Sequence, residues 1–168
     1  MFRLTAENLS QAYSRRYVFK SVDLTVQSGE SLVVLGGNGS GKSTLLKTLS
    51  GALLPFDGSV SLTNDDQSIE GQEQFRYVSL AAPYLELIEE YTLRELLNFC
   101  GKLKPWRSGW SIEQLVERAY LDEVSDREIK YFSSGMKQRV RLLLAIMADT
   151  PVLMLDEPTS NLDKRGIQ

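Results

Sequence analysis

The residues that most clearly could carry chemistry form a short glycine-rich stretch. Residues 36–43 read GGNGSGKS and fit the pattern G-x-x-x-x-G-K-[ST]. Glycines allow backbone N–H groups to turn inward around phosphate oxygens, and the N-terminus of a following helix adds its positive dipole end. Lys42 can then reach the β- and γ-phosphates of a nucleotide, and the Ser43 hydroxyl can ligate Mg²⁺. The stretch therefore predicts a phosphate-binding loop.

Two adjacent carboxylates follow an apolar run near the end of the sequence. Residues 152–155 read VLML, and Asp156 and Glu157 come directly after them. Such a run is typical of a strand buried on both faces, and its end would lie at the sheet edge where α/β proteins bind ligands. Asp156 is predicted to hold Mg²⁺, and Glu157 to polarise an attacking water as general base. Read alone, the pair is more typical of a solvated strand end, but the glycine-rich loop favours the catalytic interpretation.

A third candidate is a serine-glycine stretch at the start of a helix. Ser133, Ser134 and Gly135 precede residues in which Arg and Lys alternate with an apolar face, which predicts a helix from about Gly135. A helix N-terminus attracts anions through its free N–H groups and its dipole. By itself the stretch is equally typical of an N-cap followed by an amphipathic helix.

The spacing of apolar residues indicates the elements that must position these side chains. Short strands are predicted at Phe2–Leu9, Val22–Val26, Leu32–Leu35, Val60–Leu62, Phe75–Leu80 and Val152–Leu155. A helix is predicted from Ser43 to a stop at Gly51. The phosphate-binding loop would therefore join a strand to a helix.

The middle of the sequence is predicted to be helical. Thr92 with Glu95, and Ser111 with Gln114, stand at capping-box spacing and mark two helix starts. Strands that alternate with helices predict an α/β fold with a mainly parallel core sheet, in which residues of about 84–130 form a helical insertion.

Composition limits the classes of protein that remain. The 168 residues suffice for one domain, which predicts a single unit over residues 1–168. The net charge of −3 gives no electrostatic reason to expect nucleic acid as a partner. The single cysteine, Cys100, excludes an intramolecular disulfide, and no apolar run reaches the length of a membrane span, so a cytoplasmic location is expected.

Taken in order, these motifs resemble the ATP-binding cassette (ABC) family of ATPases. Residues 132–136, FSSGM, stand where that family has its LSGGQ signature, and Ser160-Asn161-Leu162-Asp163 matches its D-loop. Tyr13 lies where an aromatic residue usually stacks on adenine. The resemblance covers nearly the whole chain. It implies a P-loop NTPase fold of the ABC type, with a mainly parallel core sheet, an antiparallel β subdomain and a helical insertion.

The resemblance also implies the ligands, which are ATP and Mg²⁺. The residues expected to contact the nucleotide are Tyr13, Gly36, Gly37, Asn38, Gly39, Ser40, Gly41, Lys42, Ser43 and Thr44. Ser43 and Asp156 are the expected metal ligands, and Lys42 and Glu157 the expected catalytic residues. In the family two ATP-binding domains pack head to tail, so Ser133 and Gly135 would contact the nucleotide bound by a second domain, identical or different.

The sequence departs from the family pattern at three places. Met136 replaces the usual glutamine of the signature, and Ser134 replaces a glycine. Residues 80–82, Leu-Ala-Ala, carry no amide where the family has a glutamine that helps hold Mg²⁺ and the attacking water. Metal coordination would then rest on Ser43, Asp156, phosphates and water, which Mg²⁺ accepts because it keeps several waters.

The third departure is that the sequence contains no histidine. The family needs a switch histidine on a strand a few dozen residues after Glu157. The expectation is therefore a truncated cassette domain, or a fragment of a longer chain, with the last strand or strands of the core sheet missing.

Two predictions are left with alternatives: the role of residues 83–92 and the function of the chain. Residues 83–92, PYLELIEEYT, could form a groove for a short helix of a transmembrane subunit, or could pack the helical insertion. The hypothesis for function is an ATP-binding and hydrolysing subunit of an ABC transporter, of exporter type, peripheral on the cytoplasmic face of the membrane and coupled to a transmembrane permease. The alternatives are a soluble ABC ATPase without a transport role and a nucleotide-binding module with little turnover.

Overall fold

The computed structural model describes residues 1–107, 109–160 and 162. It divides into two units, Met1–Val78 and Ser79–Gln168, which are described separately. The expectation of one ATP-binding domain over residues 1–168 stays a prediction. Among the described residues, no helix has both the length and the apolar character that a membrane crossing needs.

The first unit is built on a four-stranded antiparallel sheet. Its strands are β1 (Phe2–Tyr13), β2 (Arg16–Gln27), β3 (Asp57–Asn64) and β4 (Gln67–Ile69), in the order β2-β1-β3-β4. The sheet corresponds to the predicted antiparallel β subdomain. Helix α1, Lys42–Leu49, belongs to the same unit and buries two of its leucines. The predicted helix in this region is therefore confirmed.

An irregularity in β1 resets which side chains of the strand are buried. The pairing of β1 with β3 shifts register between Glu7 and Ser10, and Asn8 has a φ of 48°. A Cβ on Gly58 of β3 would lie 2.3 Å from the Asn8 carbonyl oxygen and 2.4 Å from that of Glu7. Because backbone carbonyls cannot move aside as a flexible side chain can, only glycine fits at this crossing. After the shift Leu9 is fully buried.

The second unit combines a strand pair with helices. Strands β5 (Val78–Ala81) and β6 (Val152–Leu155) form a two-stranded sheet. The helices are α2 (Leu93–Leu103), α3 (Ile112–Arg118) and α4 (Ser134–Met147). Apolar side chains of the three helices and their connections form the core, which includes Leu93, Leu97, Leu115, Ile129 and Val140.

Both capping boxes form as predicted. The Thr92 hydroxyl accepts from the Glu95 N–H at 3.2 Å, and the Glu95 carboxylate accepts from the Thr92 N–H at 2.8 Å. Ser111 and Gln114 make the same pair of contacts at 3.3 and 2.9 Å. Each box satisfies two N–H groups that a helix start otherwise leaves without an intrahelical acceptor.

The predicted strand at Leu32–Leu35 is wrong. Residues 30–37 have no regular secondary structure, and the side chains of Leu32, Val33 and Leu35 are 53%, 74% and 86% exposed. A strand exists only through hydrogen bonds to a neighbouring strand, and an apolar run cannot supply that neighbour by itself. The strand predicted at Phe75–Leu80 begins later, because Gln74–Arg76 forms a 3-10 turn before β5.

Candidate functional site

The glycine-rich loop leads directly into helix α1. Gly41 is the N-cap of α1 with φ 96° and ψ 5°, and its carbonyl oxygen accepts from the Leu45 N–H at 2.8 Å. A Cβ on Gly41 would lie 2.6 Å from Cγ1 of Val18 in β2. Residues 36–40 are exposed and residues 41–44 are half-buried. The structure therefore brings the predicted residues from Gly36 to Thr44 together at one accessible helix N-terminus, where anions are favoured.

Lys42 is held by the loop that it follows. Its Nζ donates to the carbonyl oxygens of Gly36 and Gly37, both at 2.9 Å. The Ser40 N–H also donates to the Gly37 carbonyl, at 3.2 Å. The ammonium therefore lies over the loop, which puts a positive charge where phosphate oxygens are expected.

Tyr13, the predicted adenine contact, ends β1 in the same unit as the loop. It pairs with Arg16 across a two-residue turn, in which Ser14 and Arg15 have φ values of 48° and 66°. The Tyr13 side chain is 52% exposed and is therefore accessible for stacking on a base. Tyr17, on the neighbouring strand β2, packs edge-on against Phe56, with ring centroids 5.8 Å apart.

The carboxylate pair lies at the end of β6, and its two members have different environments. Asp156 is only 4% exposed, and its N–H donates to the Ala81 carbonyl oxygen of β5 at 2.9 Å. Glu157 is exposed, and its φ of 44° is in the left-handed region that a side chain with a Cβ seldom adopts. Backbone strain of this kind is concentrated at functional sites. The buried aspartate suits a fixed ligand, and the exposed glutamate suits a group that meets water.

The strand that delivers this pair is buried on one face only. Met154 is buried, whereas Leu153 and Leu155 are 40% and 37% exposed. The prediction that all four apolar residues of β6 are buried on both faces is therefore wrong. Among the described residues β6 pairs with β5 alone, and alternate residues of such a strand point to opposite faces.

The serine-glycine stretch forms the start of α4. Ser133 is the N-cap, and its Oγ accepts from the Met136 N–H at 3.2 Å. Ser133 is exposed and Gly135 is half-buried. Met136, which replaces the family's glutamine, packs against the apolar core of the helices. The substitution therefore gives up a polar side chain for core packing.

A buried glutamine, which sequence reasoning missed, joins α4 to the segment after the carboxylates. Gln138 is 1% exposed, and its Nε2 donates to the Pro158 carbonyl oxygen at 3.3 Å. The Ser160 N–H donates to the Glu157 carbonyl at 3.0 Å and closes a turn. An uncharged polar residue on the apolar face of a predicted helix was the available signal. Of the predicted D-loop, Asn161 and Asp163 lie outside the described residues.

Two oxygen groups, each described within its own unit, are of the kind that Mg²⁺ prefers. The candidates are the half-buried Ser43 hydroxyl in the first unit and the buried Asp156 carboxylate in the second. Mg²⁺ prefers hard oxygen ligands and is commonly held by one or two carboxylates, phosphates and waters. The described residues contain no cluster of three or more His, Cys, Asp or Glu side chains, so no all-protein metal cage forms there.

The class of P-loop nucleotide-binding proteins is defined by a short set of features. These are a glycine loop that caps a helix, a lysine and a serine that follow it, and an acidic pair at a strand end. The sequence profile of the family described as ABC transporter matches residues 19–160. The chain belongs to the ABC transporter family, and within it to the ATP-binding subunits that act as ATPases. The resemblance and the fold class predicted from the sequence are thereby confirmed.

Known proteins resemble the chain over nearly its whole length. The cytochrome c biogenesis ATP-binding export protein CcmA of Agrobacterium fabrum (strain C58 / ATCC 33970) is 34% identical over 164 residues, which are 96% of this chain and 76% of that protein. The sulfate/thiosulfate import ATP-binding protein CysA of Thermosynechococcus vestitus (strain NIES-2133 / IAM M-273 / BP-1) is 32% identical over 165 residues, 96% of this chain and 49% of that protein. A solved ATP-binding subunit of an ABC transporter matches with a TM-score of 0.81 and 27% identity, over 98% of this chain and 70% of that one.

Proposed function

We propose that this chain binds Mg-ATP, pairs with a second ATP-binding domain around the nucleotides, and hydrolyses ATP to drive a transmembrane permease partner. The proposal rests chiefly on the phosphate-binding loop, because Gly41 turns the chain into α1 in a left-handed conformation, with a φ of 96°, that glycine adopts without steric cost. It places the chain on the cytoplasmic face of a membrane, where ATP is available. We treat residues 1–168 as one ATP-binding domain with a helical insertion of about 84–130.

The loop is assigned to the phosphates of ATP. N–H groups from Gly36 to Thr44 would surround phosphate oxygens at the N-terminus of α1, and the Lys42 ammonium would neutralise charge on the β- and γ-phosphates. Tyr13, exposed at the end of β1, would stack on the adenine ring.

Ser43 and Asp156 would hold Mg²⁺, and Glu157 would activate water. Mg²⁺, when bound, neutralises charge that develops on the phosphate oxygens. The Glu157 carboxylate accepts a proton from the water whose oxygen attacks the γ-phosphorus, and the bond from that phosphorus to the β–γ bridging oxygen breaks. The bridging oxygen leaves with ADP. The exposure of Glu157 supports this assignment, since a general base must reach the water.

A second ATP-binding domain would complete each nucleotide site. The exposed Ser133 hydroxyl and the half-buried Gly135 lie at the N-terminus of α4, where N–H groups and the helix dipole favour an anion. We propose that they contact the γ-phosphate bound by the loop of the second domain. This domain can be a copy of this chain or a related one.

The cargo is assigned to the permease, not to this chain. An export protein and an import protein resemble the chain at 34% and 32% identity, so what the three share is the ATP-binding part. The resemblance to the export protein supports the narrower proposal that this chain serves an exporter.

The test is substitution of the proposed base. Glu157→Gln keeps the size of the side chain and removes its basicity, so we expect unchanged ATP affinity, a loss of turnover of about 100-fold or more, and dimers that persist with ATP. Glu117→Gln, which changes an exposed carboxylate on α3 by the same atoms, is the matched control and is expected to behave as the parent.

Turnover and dimerisation are read on the purified chain by phosphate release and by sizing with ATP. Unchanged turnover in Glu157→Gln removes Glu157 from the role of base. Tight ATP binding with negligible turnover in the parent itself would support a nucleotide-binding module instead of an ATPase subunit.

A further inference from the structure

We propose that Gln138 is a positioning residue for Glu157: its side chain, on helix α4, holds the backbone that follows Glu157 and so fixes where the Glu157 carboxylate lies. The inference rests on the proposed role of Glu157 as general base. Gln138 is 1% exposed, which leaves its amide out of reach of solvent. It therefore acts on the reaction only through Glu157.

The backbone on both sides of Glu157 is fixed by hydrogen bonds. Before it, the Asp156 N–H donates to the Ala81 carbonyl oxygen at 2.9 Å. After it, the Ser160 N–H donates to the Glu157 carbonyl oxygen at 3.0 Å and closes a turn. Within this frame Glu157 has a φ of 44°, in the left-handed region that a residue with a Cβ enters at a cost. Such a conformation persists only where the surrounding contacts hold it.

Pro158, at the centre of this turn, offers one backbone group for a hydrogen bond. Proline has no N–H, so its carbonyl oxygen is that group. The Gln138 Nε2 donates to this oxygen at 3.3 Å. Because a carbonyl oxygen only accepts hydrogen bonds, the nitrogen and not the oxygen of the amide must face it. Gln138 therefore ties the turn after Glu157 to α4.

The burial of Gln138 carries a penalty that an apolar residue would avoid. Its Oε1 is buried and has no hydrogen-bond partner among the residues that the structure describes. A buried polar atom without a partner lowers stability. Met136 packs against the apolar core of the helices and Val140 belongs to it, so an apolar side chain would suit the same stretch of α4. A polar residue that lowers stability at such a position is expected where function requires it.

Helix α4 is a firm anchor for this contact. Val140 is fully buried in the core of the second unit. The Arg141 Nε donates to the Leu85 carbonyl oxygen at 2.6 Å, and the Lys137 ammonium donates to the Glu89 carboxylate. A residue can position another only if it is itself held, and these contacts hold the turns of α4 around Gln138.

Gln138→Met tests the inference because it removes the donor and keeps the length of the side chain. Loss of a buried hydrogen bond shifts a local opening equilibrium about 10-fold. We therefore expect the Ser160 amide hydrogen, followed by NMR, to exchange about 10-fold faster than in the parent, while amides inside α4 are unchanged. Gln138→Leu, which also lacks a donor, should give the same result. Gln72→Met, at an exposed glutamine, is the matched control.

Turnover is the second measurement on the same variants. We expect kcat to fall about 10-fold in Gln138→Met, because the base is no longer held in one place. The affinity for ATP in EDTA should match the parent, because the loop that binds the phosphates belongs to the other unit. The unfolding midpoint should stay near that of the parent, since removal of the unpaired Oε1 offsets the lost hydrogen bond.

The Glu157→Gln background separates failure of this inference from failure of the proposed function. If Gln138 acts through Glu157, Gln138→Met should not lower the residual turnover of Glu157→Gln any further. If Glu157→Gln turns over ATP as the parent does, the proposed base is wrong and the inference falls with it.

Two other results would overturn the inference while leaving the proposed base in place. One is a Ser160 amide that exchanges in Gln138→Met as it does in the parent. The other is a lower unfolding midpoint in Gln138→Met with an unchanged kcat, which would make Gln138 a packing residue.

Discussion

Gly41 is the position in the phosphate-binding loop where one added methyl group is expected to lower stability and ATP affinity most. Its φ of 96° lies in the left-handed region, and a Cβ there would lie 2.6 Å from Cγ1 of Val18, 3.5 Å from the Val18 carbonyl oxygen and 3.9 Å from Phe19 Cδ1. Gly41→Ala therefore combines an unfavourable backbone conformation with a steric overlap against β2.

The expected loss of stability in Gly41→Ala is the sum of the backbone cost and the steric cost. A left-handed conformation costs an L-residue about 1–2 kcal/mol. Forcing an extra methyl into a filled space costs about 1–3 kcal/mol. The free energy of unfolding should therefore fall by about 2–5 kcal/mol. If the loop instead rotates to relieve the overlap, its N–H groups turn away from phosphate, and a cost of about 2 kcal/mol appears as a loss of ATP affinity of about 30-fold.

Urea unfolding and titration with a fluorescent ATP analogue measure both terms. Gly71→Ala is the matched control, because a Cβ there meets nothing within 4 Å and Gly71 has no positive φ. We expect the control to remain within about 0.5 kcal/mol of the parent. If Gly41→Ala also does so and binds ATP as the parent does, the reasoning from the N-cap geometry is refuted.

Three further substitutions probe the second unit by unfolding measurements. Thr150→Val is expected to lower the free energy of unfolding by about 1–3 kcal/mol, because it leaves the buried Ser79 hydroxyl without its donor. The loss should be smaller in the double variant Thr150→Val with Ser79→Ala. An equal loss in the single and the double variant would contradict this. Gly101→Ala, which would favour an isolated helix, should instead destabilise, because its Cβ would lie 2.6 Å from Trp106 Nε1; Trp106→Leu should remove the penalty. Hydrogen bonds from Thr92 lower the pKa of Glu95 below its usual value of 4.5. The stability lost in Glu95→Gln should therefore be largest above pH 4.5 and should vanish as pH falls through the lowered pKa. A difference in stability between Glu95→Gln and the parent that stays constant with pH would refute this.

Features that depend on neighbours in the sequence were the predictable ones. The capping boxes at Thr92 and Ser111 formed because their donors and acceptors lie three residues apart. The loop before α1 was recognisable from Gly36 to Ser43, because glycine, lysine and serine at fixed spacing serve one local geometry. In each case the relevant physical chemistry is contained in fewer than about ten residues.

Features that depend on distant partners were not predictable. The strand expected at Leu32–Leu35 is irregular because pairing needs a partner that the local pattern does not specify. The contact of Gln138 with Pro158 joins residues 20 apart, and the hydrogen bond from the Asp156 N–H to the Ala81 carbonyl oxygen depends on the β5–β6 pair. The left-handed backbone at Glu157 is likewise set by its surroundings, since glutamate has no intrinsic preference for it.

The two hydrogen bonds of Lys42 change how an effect of replacing this lysine on ATP affinity must be interpreted. Its ammonium donates hydrogen bonds to the carbonyls of Gly36 and Gly37, so replacing the lysine removes two contacts that hold the loop. The same replacement also removes the positive charge that would face the phosphates. A fall in ATP affinity after Lys42→Ala would sum a loosened backbone and a missing ion pair. Amide hydrogen exchange of the loop, compared between Lys42→Ala and the parent, would apportion the loss between rigidity and charge.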